Sequence, residues 1–161
     1  MIRYYVADAF TDELFGGNPA GVCLLDRWID DTLMQKIAAE NNLSETAFLV
    51  RNGDAYDLRW FTPAVEVDLC GHATLASAFI LDRFGGVKTG RYVFHTKSGT
   101  LTVERRDDLF EMDFPARPPA IARSRYARDE RGAGSGSAGS ACVARSSCRA
   151  GFGRARAYTA S

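Results

Sequence analysis

Between Ala73 and Phe84 the apolar residues Leu75, Ala76, Ala78, Phe79, Ile80 and Leu81 cover every side of a helical wheel. A helix of that kind has no face to give to water. At 12 residues the segment is also well short of the roughly 20 apolar residues that a membrane crossing takes. It must therefore be surrounded by protein, with Gly85 as its expected terminator. A chain of 161 residues, 46% hydrophobic and 11% aromatic, can supply the enclosure as one ordinary domain with a sizeable core.

The surrounding material reads as short strands. Ile2 to Phe10 carries β-branched and aromatic residues, and Val22-Cys23-Leu24-Leu25 reads as a buried strand after a loop over Phe15-Gly16-Gly17-Asn18-Pro19-Ala20-Gly21. Glu45 to Val50 pairs with Tyr56 to Thr62 across Asn52-Gly53-Asp54. Arg91 to Thr96, Thr100 to Arg105 and Leu109 to Phe114 follow as a meander of tight hairpins. A second helix, amphipathic and lying on a surface, is expected from a cap at Asp30 or Asp31 through Leu33, Met34, Ile37 and Ala38 to Asn41-Asn42. The sum is an α+β fold in which a curved, mainly antiparallel sheet rolls around one central helix.

Reactive side chains gather where that helix starts, in Asp68-Leu69-Cys70-Gly71-His72-Ala73-Thr74. Gly71 permits a sharp turn or a close approach, and the first free amides of the helix suit an anion such as a carboxylate. His72 adds a group that titrates near neutral pH, and Cys70 a potential thiolate at a helix start. Two ligands around one glycine are too few for zinc, no second pair has suitable spacing, and no metal is expected. Gly16-Gly17 and Gly85-Gly86 match neither dinucleotide nor phosphate-loop patterns, so no cofactor is expected either.

Charge divides the chain. Residues 1 to 120 carry a net −6, whereas residues 121 to 161 carry +6 from 8 Arg and no Lys against Asp129 and Glu130. From 120 to 161 the apolar periodicity is lost and Arg, Ala, Gly and Ser dominate. This stretch is expected to be disordered, as a tail or as a GC-rich coding sequence read out of frame. A nucleic-acid role for it rests on charge alone and ranks last. With neither an apolar span nor a secretory signal, and with Cys23, Cys70, Cys142 and Cys148 unpaired by spacing, a cytoplasmic protein with free thiols is the expectation.

Three motifs occur in order: Phe15-Gly16-Gly17-Asn18-Pro19-Ala20-Gly21-Val22, Leu43-Ser44-Glu45-Thr46-Ala47-Phe48 and Leu69-Cys70-Gly71-His72-Ala73-Thr74. Over residues 1 to 119 the chain resembles the PhzF-like phenazine-biosynthesis family, relatives of diaminopimelate epimerase. The resemblance implies one half of a pseudo-symmetric two-domain fold, each half a β-roll about a central helix. It implies an isomerase that moves a proton on a small carboxylate-bearing metabolite without a cofactor, in a crevice between the halves.

Under that resemblance Glu45 is the expected general acid/base and His72 its catalytic partner, while Gly71, Asn18 and Cys70 line the substrate. Left to their own sequence context, Glu45 reads as a solvated strand-end carboxylate, His72 as a helix cap, Cys70 as a buried structural thiol and Asn18 as a turn residue. Asp68 and Glu66 read as solvated strand positions, and His95 as a core or surface residue. The rival to the isomerase is a non-catalytic β-roll binding module. A lone half exposes the wall its partner half would cover, so a homodimer is expected.

Overall fold

The computed structural model describes residues 2–13, 15–86, 88–113, 147–151 and 156–159. Ten strands and two helices are set out in these residues: β1 (Arg3–Ala9), β2 (Asn18–Leu25), α1 (Asp31–Asn41), β3 (Glu45–Asn52), β4 (Ala55–Phe61), β5 (Glu66–Val67), α2 (Gly71–Phe84), β6 (Arg91–Thr96), β7 (Gly99–Arg106), β8 (Leu109–Asp113), β9 (Ser147–Gly151) and β10 (Arg156–Thr159). They form one sheet in the order β10-β1-β2-β3-β4-β6-β7-β8-β9, with β5 paired to β4. The sheet is mainly antiparallel, as expected, but β2–β3 and β4–β6 are parallel pairs. Each parallel step is bridged by a helix, α1 in the first case and α2 in the second, because a parallel connection must carry the chain back along the sheet.

The sheet curls around α2, whose residues from His72 to Asp82 are all buried. Alternate strand residues point at it: Val22 and Leu24, Ala47 and Leu49, Leu58 and Trp60, Phe94, Leu101, Val103, Phe110 and Met112 share its core. Phe79 packs edge-on to Phe110 with ring centroids 5.8 Å apart. The opposite residues Cys23, Leu25, Phe48 and Phe61 point outward and are covered by Met34 and Ala38 of α1. So β2 and β3 are buried on both faces, which is why Val22 to Leu25 shows no polar alternation.

Two expected boundaries shift. Asn18-Pro19-Ala20-Gly21, expected as loop, is the first half of β2 and pairs with β1 from Asn18↔Ala9 onward. Pro19 is tolerated there because the pairing with β3 starts only at Ala20, so its missing N–H is not needed on that side. α2 begins at Gly71, two residues before Ala73, which puts Gly71 and His72 in its first turn. It ends at Gly85 as expected, although the left-handed residue is Gly86, with φ 77°. The β3–β4 hairpin turns through Gly53 at φ 62°, a conformation that an L side chain resists.

The expectation of disorder over 120–161 falls mostly outside the described residues. Two segments of it are described, and both are paired: β9 lies antiparallel to β8, and β10 antiparallel to β1. Sequence periodicity gives no sign of these strands. Without them β1 and β8 would be the edges of the sheet, and an edge takes a strand through main-chain hydrogen bonds whatever its side chains.

If α2 is the element the sheet is built around, shortening its largest buried side chain should be costly. Phe79→Ala is expected to lower the unfolding free energy by about 3–5 kcal/mol, measured by urea denaturation; a loss below about 1 kcal/mol would place the helix on a surface.

Candidate functional site

The first turn of α2 lacks a side-chain cap. Its N-cap is Cys70, in extended conformation at φ −147° and ψ 116°. The Thr74 hydroxyl donates back to the Cys70 carbonyl, and the Ser77 hydroxyl to the Ala73 carbonyl at 2.7 Å, so neither serves the helix amides. The positive end of the helix dipole is left facing whatever lies before Gly71.

Glu45 lies there. It is the first residue of β3, and the roll carries it against α2 so that its Oε2 stands 3.2 Å from His72 Nε2. On the other side of the ring Cys70 Sγ is 3.4 Å from His72 Nδ1. The imidazole is thus bracketed by a carboxylate and a thiol. Three of the residues singled out from sequence meet at one point, with Gly71 between two of them.

Burial sets the protonation of two of these groups. The His72 ring is held below its ordinary 6.5 by loss of solvent, partly opposed by the Glu45 charge. The Cys70 thiol is pushed up to about 12, first by burial and further by Glu45, while the amides of Ala73 and His72 pull the other way. Of the two readings of Cys70 from sequence, the potential thiolate is set aside and the buried thiol holds: desolvation outweighs the helix terminus, and the sulfur stays protonated at neutral pH.

Asn18 comes near without joining the cluster. Its Oδ1 lies 3.5 Å from Ser44 Oγ, one residue before Glu45. Behind it Gly21 passes so close to β3 that a Cβ would sit 2.9 Å from Thr46 Oγ1, so the approach of β2 to the Glu45 strand depends on that glycine. Thr46 in turn accepts from Asn41 Nδ2 at 3.2 Å, tying the end of α1 to the same strand.

An arrangement missed from sequence holds the segment leading into the site. Arg59 donates to both Glu66 oxygens, at 2.7 and 2.9 Å, and to Asp31 at 2.7 Å. Lys97 reaches the same Glu66 carboxylate at 2.6 Å, and Ser98 Oγ donates to the Asp68 carbonyl at 2.8 Å. The Arg59 hydrogen bonds, with Lys97 adding to them, hold the Glu66 carboxyl below its usual range. Glu66 is therefore a paired anchor, not the solvated strand position expected of it. His95 is exposed, 3.4 Å from Thr100 Oγ1, and takes no part in the site. A concavity of about 250 Å³ lined by Arg3, Arg51, Tyr56, Leu81 and Gly85 opens at the far end of α2.

Comparison with known proteins gives a consistent picture. The model of the phenazine biosynthesis-like (PhzC-PhzF) family matches residues 7–147. Over 119 residues the chain is 58% identical to an uncharacterized isomerase of Pseudomonas aeruginosa, covering 73% of this chain and 46% of that protein. A crystal structure of a PhzF-family phenazine biosynthesis protein from Enterococcus faecalis superimposes with a TM-score of 0.68 at 47% identity, covering 76% of this chain and 49% of the other. A predicted epimerase from Pseudomonas aeruginosa superimposes with a TM-score of 0.62 at 28% identity, covering 70% and 43%. The chain spans about half the length of the relatives it matches. Its α+β roll around α2 is the epimerase-like fold expected from the sequence.

The protonation of His72 is open to direct measurement. Its NMR titration midpoint should lie below 6.5, and Glu45→Gln, by removing the one charge that opposes burial, should move it lower still. Because the folded value lies below the unfolded one, the unfolded chain binds this proton more readily, and His72 subtracts stability as pH falls below 6.5. A midpoint that rises in Glu45→Gln would show that the two groups are not coupled as the structure has them.

Proposed function

Because the chain belongs to the PhzC-PhzF family of phenazine biosynthesis-like proteins, we propose that it carries a cofactor-independent proton-transfer site of isomerase or epimerase type, acting on a small carboxylate-bearing metabolite. The observation that supports this most is the meeting of Glu45 and His72 at 3.2 Å before the uncapped first turn of α2. One half of that arrangement moves a proton and the other holds an anion.

The chemistry follows from the groups. Glu45 in its carboxylate form takes a proton from a substrate carbon, and as the acid it returns the proton to the same carbon from another direction or to a neighbouring one. His72, neutral by burial, stands with Nε2 3.2 Å from the carboxylate and adds no full charge beside it. The substrate carboxylate docks on the amides of Gly71 and His72 at the helix start, with Asn18 and Cys70 as further lining. Cys70, kept as a thiol, orients the ring and does not attack.

A proton-transfer site that works on two faces of a carbon needs a second acid opposite Glu45. We propose that a second copy of the chain closes the crevice as a two-fold homodimer. Phe10, Phe15 and Val65 stand exposed, and the topology places them at the same end of the sheet as Glu45, on the rim such a pairing would cover. The proposed setting is the cytoplasm: Cys23 and Cys70 are free buried thiols, and no helix among the described residues is long and apolar enough to cross a membrane.

Incubation in D2O with a panel of small unsaturated and α-substituted carboxylates should show deuterium entering at carbon by NMR. Glu45→Gln should slow that exchange by at least about 100-fold while the far-UV circular dichroism is unchanged. Saturable binding without exchange would leave a binding module instead. Multi-angle light scattering checks the assembly: a mass of twice 17.6 kDa is expected, and a monomer at high concentration would overturn the dimer.

A further inference from the structure

Among the described residues Glu45, Cys70 and His72 form a group of three potential metal ligands, each offering one atom, with those atoms all within 4.8 Å of one another. The sequence presents only Cys70 and His72 around Gly71. The fold supplies the third ligand by carrying the first residue of β3 to the first turn of α2.

The distances put the three ligands within reach of one cation, and burial favours it. A tetrahedral ion with bonds of roughly 2.0–2.3 Å holds its ligand atoms roughly 3.3–3.7 Å apart. Glu45 Oε2 and His72 Nε2 are 3.2 Å apart, and Cys70 Sγ and His72 Nδ1 3.4 Å. These two distances run to different ring nitrogens and one ion takes only one of them, so the remaining ligand atom, within 4.8 Å of the others, must come roughly 1 Å closer for the roughly 3.7 Å spacing of a tetrahedral ion. Independently, Glu45 Oε2 and His72 Nε2 are buried from water and, although they face each other, neither has an aligned hydrogen bond. Two buried donor atoms aimed at one point without a satisfied contact is the arrangement an ion completes.

We propose that Glu45, Cys70 and His72 form a zinc site with three protein ligands and a fourth position open toward the rim, where the Glu45 side chain keeps 20% of its surface exposed. Thiolate, imidazole and carboxylate together suit Zn²⁺ and disfavour the hard ions Mg²⁺ and Ca²⁺. On binding, the Cys70 S–H bond breaks, a zinc–sulfur bond forms and the proton leaves to the buffer, with no change of oxidation state. Binding itself does not depend on the isomerase reading. One consequence does rest on it: an ion here occupies the lone pairs that proton transfer needs, so zinc would inhibit the exchange reaction.

Cobalt(II) serves as the spectroscopic stand-in, added to the full-length protein with Cys142→Ser and Cys148→Ser to remove the other thiols whose surroundings are not described. The expected result is saturation at one equivalent, with a thiolate charge-transfer band in the near ultraviolet and the intense visible bands of a tetrahedral ion. One equivalent of Zn²⁺ should displace them. Cys70→Ser should abolish the charge-transfer band, and Glu45→Gln should weaken Zn²⁺ binding at least tenfold. Absence of the band, its survival in Cys70→Ser, or unchanged affinity in Glu45→Gln would each overturn the site. If circular dichroism shows that Cys70→Ser does not fold, the Glu45→Gln affinity decides alone. Tight binding in a protein that shows no carbon exchange would leave the metal site standing and the isomerase reading refuted.

Discussion

The enclosure of α2 is the constraint on which the rest of the structure depends. A helix buried from His72 to Asp82 can exist only if the sheet curls until its inward residues meet it on every side. The same curl fixes both ends of the helix. At the C-terminal end Asp82, 3% exposed, accepts from the Tyr92 hydroxyl at 2.7 Å and from Arg105 at 2.9 Å, which ties the last turns to β6 and β7. A buried carboxylate is tolerable only with such partners. At the N-terminal end there is no such tie, and the helix opens instead onto Glu45.

That difference between the two ends makes a site possible. Elements on both sides of the junction are fastened down: Arg59, Lys97 and Ser98 hold the segment from Glu66 to Asp68, and Asn41 holds Thr46 beside Glu45. The guanidinium of Arg59 also lies over Trp28 and Phe61, 5.5 and 5.2 Å from their ring centroids. What stays unsatisfied lies between the fastened pieces, in the pair Glu45 Oε2 and His72 Nε2. Strong support around weakly satisfied polar atoms is how a scaffold keeps reactive groups in place without neutralising them.

Much of this was legible in the residues. The all-round apolar wheel of Ala73 to Phe84 gave the central helix and its enclosure, and the hairpins through Gly53, Lys97-Ser98 and Asp107-Asp108 follow from turn chemistry. The meeting of Glu45 and His72 is different in kind. They are 27 positions apart, and no periodicity links them; motif resemblance, not local physics, brought both forward. The Arg59 clamp was invisible because Arg59 in β4 and its partners Asp31 in α1 and Glu66 in β5 belong to three separate elements. The parallel pairs β2–β3 and β4–β6 were equally hidden, since a pairing register depends on where the intervening helix returns the chain. Asn18 looked like a turn residue because Asn-Pro is a turn signal, yet the β3 ladder stops one residue after Pro19 and spares the strand its missing donor.

Burial also distinguishes the three clustered groups. It penalises a charged sulfur and a charged ring alike, so Cys70 is held as a thiol and His72 as neutral imidazole. Glu45 keeps 20% of its side-chain surface, against 10% for His72, and so is the more exposed of the pair. Opposite charge would bind Glu45 more strongly than a neutral ring does, but it would also lock the carboxylate in an ion pair. A neutral ring at 3.2 Å leaves the carboxylate without that lock. The depth of burial on α2, which the sheet imposes for reasons of packing alone, thereby sets the chemistry available at the helix start.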